Sequence, residues 1–354
     1  MSFFGHKCYM YGLPAFLSKH SAPPVVQLPI SSVVEEQPLR YSDTDPYLKM
    51  LRMSGIRWAS YSSQQIKNSV MFLKNTLRLD SIWLRLWGSA GLFGDVTLNQ
   101  RFIEECLAQG IKVGGWGWCQ GSNIKFDLGT IKQVLETYKI TCLVSDIEPG
   151  VNGSVWSEDS LKRHCAGVRD LSSIFHAITT FGYIPYHKPE LFKSVNSLVD
   201  GFDIQTYWFW FPNANMLRGQ EAKGYIANDP ASYCNLCLDK WREITDKPLN
   251  LSGQAYWGEA TGWTMEVAES KLSAFFRGFI EWNRIAGLGY WYSGGVGTKA
   301  MSKIMEQVIK SAPAFQFEGE KDTESNVDYK QQVDELLDII DRARIILEDL
   351  RAIL

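Results

Sequence analysis

The feature that most constrains this chain is an alternation of short apolar strands with amphipathic helical stretches, repeated eight times between about residues 55 and 312. The spacing predicts strands at 55–61, 81–87, 112–118, 141–148, 177–183, 201–207, 249–257 and 287–293. Between them, helical periodicity runs over Ser63–Leu77, Leu98–Gln109, Thr130–Tyr138, Ser160–Phe175, Pro230–Thr245 and Thr264–Ala286. In the first of these, Ile66, Val70 and Leu73 fall on one helical face. Asp229-Pro230 has the form of a cap followed by the proline that suits a first helical turn. Strands that alternate with helices pair in parallel, and eight such units in about 250 residues fit a closed barrel better than an open sheet. No glycine-rich dinucleotide fingerprint follows the first strand, which also disfavours the open form. The expected fold is therefore an α/β (β/α)8 TIM barrel over residues 51–314.

The flanking segments differ in character. Residues 1–50 carry Pro23-Pro24 and scattered serines without periodicity, and read as an extended N-terminal arm. Residues 315–326 are polar and charged, as in a linker. In 327–354, Val333, Leu336, Ile340, Ala343, Leu347, Leu350 and Leu354 recur at alternating steps of three and four, the stripe of a coiled-coil helix. That helix is expected to self-associate into a homo-oligomer or to dock a partner helix. The alternative is packing against the barrel.

Charge and cysteine usage exclude several classes. A net charge of -3 gives no electrostatic footprint for nucleic acid. The longest apolar runs fall short of a membrane span, and residues 1–17 lack the continuous apolar core of a signal peptide. Synthesis in the cytoplasm is expected, with release by lysis or within an injection-type or phage-like particle. The 7 cysteines are scattered and odd in number, unlike a disulfide framework. Cys234 and Cys237 form a CxxC without a second pair, and the 5 histidines make no metal constellation by spacing. No metal and no cofactor are expected. Among the histidines, only His187 lies near a predicted strand end.

In a barrel, chemistry belongs at the C-terminal ends of the strands, and alternate side chains face inward. Asp146 and Glu148 share a parity on the fourth strand, about 6–7 Å apart along the chain. Pro149-Gly150 then ends that strand. Neighbouring carboxylates repel when both are ionised, which raises one pKa and makes an acid available near neutral pH. On the sixth strand Asp203, Gln205 and Tyr207 share a parity. On the seventh Ser252, Gln254 and Tyr256 do so, with Glu259 just beyond. On the second strand Trp83, Arg85 and Trp87 alternate with Ile82, Leu84 and Leu86. Arg85 is expected to point inward and pair with Asp146 or Asp203, while Trp87, Trp118 and Trp291 are expected to wall a cleft. Structural roles for these groups, a salt-bridge network or a tryptophan-rich core, remain the alternative.

Asp146-Ile147-Glu148, Gln205-Thr206-Tyr207, Gln254-Ala255-Tyr256-Trp257 and Tyr290-Trp291-Tyr292-Ser293 resemble the motifs of barrel glycoside hydrolases, in particular the chitinase-like and muramidase-like families. The resemblance implies that Glu148 protonates the glycosidic oxygen. It implies that Asp146 and Tyr207 address the substrate's N-acetyl group, and that Trp291 floors the subsite of the scissile sugar. Asp203, Gln205, Gln254, Tyr256, Trp87, Arg85, Trp118 and Glu259 would contact substrate, an amino-sugar polymer such as peptidoglycan. The sequence departs from the chitinase-like pattern at Thr141 and Val144, where two further acids stand in that family, and it lacks the first-strand Asp of muramidases. A second carry-over pairs Glu148 with Glu259 as the two carboxylates of a retaining enzyme. The departures motivate another reading, a non-catalytic carbohydrate-binding or structural barrel subunit of a larger assembly. An unrelated barrel enzyme is the third, because the fold alone does not decide chemistry.

Overall fold

A computed structural model of the chain describes residues 49–53, 61–76, 78–207, 229–254 and 284–291. The arm up to residue 48, the linker, the coiled-coil stripe, residues 264–283 of the expected helix, Tyr256 and Glu259 lie outside the described residues, as do the side chains of Gln254 and Trp291.

The fold is α/β, with a curled and mostly parallel eight-strand sheet of the TIM-like kind. Its strands are β1 (Lys49–Met53), β2 (Ser81–Gly88), β4 (Lys112–Trp118), β5 (Cys142–Asp146), β6 (Phe175–Phe181), β7 (Gly201–Gln205), β8 (Leu249–Gln254) and β9 (Gly287–Trp291). A two-residue strand, β3 (Gly91–Leu92), folds back antiparallel on the end of β2. The parallel pairings run β1–β2–β4–β5–β6–β7–β8–β9, and β9 pairs with β1 in turn, so the described strands leave no parallel edge unpaired. Closure of this kind removes the open edge that a flat sheet would present for aggregation.

The first strand is not where the periodicity placed it. The structure puts β1 at Lys49–Met53, six residues before the expected start. The Ser62 hydroxyl accepts from the Gln65 N–H while the Gln65 side chain accepts from the Ser62 N–H, a capping box that starts α1 (Ser63–Met71). Residues 54–60, which hold most of the expected strand, lie outside the described residues. The other strands agree with expectation to within a few residues.

The remaining helices are also started by their caps. Asp95 receives the Leu98 N–H at the head of α2 (Val96–Ala108). Asn123 does the same for α3 (Ile124–Thr137), which therefore begins six residues before the apolar pattern suggested. Ser157 caps α4 (Glu158–Leu171), and Asp229 with Pro230 opens α6 (Pro230–Arg242) as anticipated. A short helix, α5 (Pro189–Lys193), bridges β6 and β7.

The core lies between the sheet's outer face and these helices. Ile82, Leu84, Val113, Leu143, Ile178, Phe202, Ile204, Leu249 and Leu251 are buried from the strands, and Phe102, Ile131, Val134, Leu161, Val168 and Trp241 from the helices. Each such side chain contributes roughly 1.5–3 kcal/mol. Glycines let the wall thicken where tryptophan must fit. A Cβ at Gly117 would overlap the Trp87 ring, so Trp87 occupies the space that a side chain there would need.

Gly117→Ala should therefore lower stability by about 1–3 kcal/mol through overpacking. Gly129→Ala, in the exposed interior of α3 where an added methyl group would meet nothing within 4 Å, should raise it by about 0.5–1 kcal/mol. Denaturant midpoints of the two variants check both, and equal midpoints would contradict the close approach of Trp87.

Candidate functional site

β5 delivers two acidic residues to the C-terminal rim. Asp146 is its last residue and is 7% exposed; Glu148 follows on the turn and is partly exposed. Ile147 between them is fully buried, and its N–H donates to the Thr179 carbonyl at 2.9 Å. The expected alternation thus holds through Ile147. The Cys119 N–H donates to the Asp146 carbonyl at 3.0 Å, which ties the ends of β4 and β5.

The turn after Glu148 is built from residues that accept left-handed backbone. Gly150, Asn152 and Gly153 have φ of +84°, +47° and +77°. Their reversal lets the Val151 N–H (3.2 Å) and the Ser154 hydroxyl both donate to the Glu148 carbonyl. The backbone beneath the Glu148 side chain is held by these two bonds.

Neighbouring strands add to the same rim. Trp118 on β4 is the register partner of Asp146, about 4.8 Å away in the pairing direction, and is partly exposed. Gln205 at the end of β7 donates from Nε2 to Asp146 Oδ1 at 3.3 Å. Tyr207, two residues on, is partly buried. Gln254 and Trp291 are register partners at the ends of β8 and β9.

Asp203 lies one layer deeper. It is completely buried, and one carboxylate oxygen accepts from the Asn250 amide and, at 2.8 Å, from the Ser252 hydroxyl. This polar knot links β7 to β8 inside the barrel. Gly287 and Gly289 of β9 stand beside Asn250 and Ser252 in register.

Trp87 requires a correction. The pairing of β2 with β4 shifts register between Arg85 and Trp87. Arg85 stands opposite Trp116, whereas Trp87 stands opposite Gly117, on the other face of β4. The irregularity breaks the parity that a continuous strand would keep. Trp87 therefore joins the core beneath the helices at 1% exposure and offers no face to a sugar. Arg85 remains inward, with its guanidinium 4.2 Å from the Phe93 ring centroid and 5.4 Å from that of Trp116. Stacking of this kind suits the flat, weakly hydrated guanidinium.

His187 stacks on Phe181 with centroids 3.5 Å apart, and burial holds its pKa down at about 4. The CxxC cysteines, Cys234 and Cys237, are buried free thiols in α6.

One grouping carries no signal in the sequence. Behind the ends of β4 and β5, on the sheet's outer face, Cys119, Asp127 and His164 converge. One potential ligand atom from each lies within 4.8 Å of the others. Cys119 follows β4, Asp127 sits in the first turn of α3 and His164 lies inside α4. Steps of 8 and 37 residues separate them along the chain. Only the packing of two helices against one strand end brings them together. His164 Nε2 lies 2.8 Å from the Ser145 hydroxyl, which is also 3.0 Å from His176 Nε2.

No known protein family matches the sequence, and no curated protein does. Similar solved structures include a xylanase and α-amylase inhibitor protein, at a TM-score of 0.48 and 11% identity over 75% of this chain and 99% of that one. A GH2 β-galacturonidase from Eisenbergiella tayi bound to galacturonate is similar at a TM-score of 0.47 and 11% identity, over 72% of this chain and 49% of that one. An α-amylase from Lactobacillus plantarum reaches 0.42 and 8%, over 74% and 78%. At these scores the likenesses carry nothing about what this chain does.

Two outcomes follow from the geometry. Asp203→Ala leaves the Asn250 amide and the Ser252 hydroxyl without their shared acceptor, and should cost about 2–5 kcal/mol of stability by denaturant melt. A loss below measurement error would mean that the knot is not structural. For His187, the folded pKa is depressed by burial, so the unfolded chain takes up a proton first as pH falls. Stability should drop between pH 6.5 and about 4. His187→Phe should keep the stack and remove that part of the pH slope.

Proposed function

We propose that this chain is a carbohydrate-active (β/α)8 barrel, a glycosidase that cleaves an amino-sugar polymer such as peptidoglycan by carboxylate catalysis at the C-terminal rim. The observation that carries the reading is the pair on β5. Asp146 is nearly buried and receives the Gln205 amide, while Glu148 stands partly exposed on a pinned turn two residues away. The two carboxyl groups thus have different surroundings, and the family resemblance assigns the acid's role to Glu148.

In this reading Glu148 donates the proton to the glycosidic oxygen as the bond to the leaving sugar breaks. Asp146, held by Gln205, orients the substrate's N-acetyl group, and water then adds to the anomeric carbon, its released proton restoring the acid. Trp118 lies against the bound ring, where an aromatic face suits the apolar side of a pyranose. Tyr207 stands at the same rim for the N-acetyl group. Residues 327–354 would then gather copies of the chain, or a partner helix, around the substrate.

The test is a zymogram with purified peptidoglycan, run beside chitin. Glu148→Gln should reduce turnover by about 10²–10⁴-fold with the fold unchanged by circular dichroism. Undiminished turnover would remove Glu148 from the role. A second reading, a barrel that binds carbohydrate without cleaving it, is favoured by Thr141 and Val144, which stand where the resembled family carries further acids. Peptidoglycan binding by the wild-type chain with no released sugar would select it.

A further inference from the structure

We propose that Cys119, Asp127 and His164 form a structural site for a divalent transition-metal ion of the zinc type, set between the sheet's outer face and helices α3 and α4. The inference is independent of any glycosidase activity.

Three observations carry it. First, the donor set is one thiol, one carboxylate and one imidazole, and their ligand atoms lie within 4.8 Å of one another. That combination selects zinc over calcium or magnesium, which prefer oxygen alone. Zinc bonds of about 2.0–2.3 Å place tetrahedral ligands roughly 3.3–3.8 Å apart. The three atoms therefore need to draw in by about 1–1.5 Å at most, within reach of small side-chain rotations.

Second, two of the donors have buried atoms without a hydrogen-bond partner. His164 is completely buried, and its Nδ1 has none. Asp127 is 6% exposed, and its Oδ2 has none. Leaving such atoms unsatisfied costs about 1–3 kcal/mol each. A cation bound at both would remove that cost.

Third, the surroundings are those of a metal-bound histidine. The other ring nitrogen, Nε2, is 2.8 Å from the Ser145 hydroxyl, which fixes the ring and leaves the unpartnered Nδ1 to take a ligand. A polar partner on the far nitrogen is the usual support for such a ligand. Trp156 packs edge-on against His164 with centroids 5.6 Å apart. Gly121 brings the backbone close: a Cβ there would overlap the Val155 carbonyl oxygen. The site is thus enclosed, and with three protein ligands the fourth position on a zinc ion would fall to a water molecule.

Electrostatics agree with the geometry. Burial, and then the nearby Asp127, push the Cys119 thiol well above its ordinary pKa. Burial likewise raises Asp127 to about 6. A divalent ion reverses this penalty, because the thiolate becomes the favoured form next to it. Binding then releases the Cys119 proton to solvent while the imidazole enters neutral, so affinity rises with pH. The Cys119 N–H donates to the Asp146 carbonyl at 3.0 Å. The ion would therefore brace the strand end that carries the rim acid from behind.

The experiment uses the full chain. Purified protein is analysed for zinc by mass spectrometry, then stripped with a chelator and titrated with Co(II) or zinc chloride. Expected are about one zinc per chain, a thiolate-to-cobalt charge-transfer band, and a melting temperature that falls on stripping and recovers with zinc. Cys119→Ser should abolish the band. Ser145→Ala, which leaves all three ligands in place, should weaken zinc binding by about 10–100-fold. Cys234→Ser with Cys237→Ser should leave the band unchanged. Should Cys119→Ser fail to fold, the wild-type titration and the Ser145 variant still decide. A wild-type chain with no cobalt band and no zinc-dependent melting would overturn the proposal, as would a band that survives in Cys119→Ser or vanishes with the CxxC.

Discussion

Everything in this structure depends on the strict alternation of side chains across parallel strands whose pairings return to their start. Because the period is two, one set of residues faces the helices and the other fills the interior. The outward set is mostly apolar and makes the core: Leu84, Val113, Leu143, Ile178, Ile204, Leu251. The inward set is free to be polar only if its members satisfy one another. Asp203 accepts from both the Asn250 amide and the Ser252 hydroxyl, and the Gln205–Asp146 bond makes a second link nearer the rim.

The exceptions to the alternation are as informative as the rule. On β2 a register shift after Arg85 turns Trp87 from the interior to the helix side, where Gly117 makes room for it. An aromatic that parity assigned to a cleft becomes a core residue, while Arg85 keeps its inward place against Phe93 and Trp116. On the opposite face, Ser145, His164 and His176 put polar atoms in the helix layer, where apolar contacts are the norm. Buried polar atoms there need partners. The proposed cation would account for His164 and for the Ser145 hydroxyl that holds its ring.

The rim and the buried cluster share a strand end. Cys119 holds Asp146 through a backbone bond, and the turn over 150–154 holds Glu148 from above. The Cys119–Asp146 bond is thus a direct contact between the cluster and the rim strand.

Local sequence determined the strands from 81 onward to within a few residues, and the cap at Asp229 and Pro230. Each is set by neighbours within a few residues, through periodicity and side-chain-to-backbone hydrogen bonds. Tertiary structure alone decided the position of β1, the face taken by Trp87, the depth of Asp203 and the meeting of Cys119, Asp127 and His164. A strand's partners, a register shift and the docking of two helices on one strand end are relations between segments distant in the chain. No spacing within one segment encodes them, because their energies arise only once the segments touch.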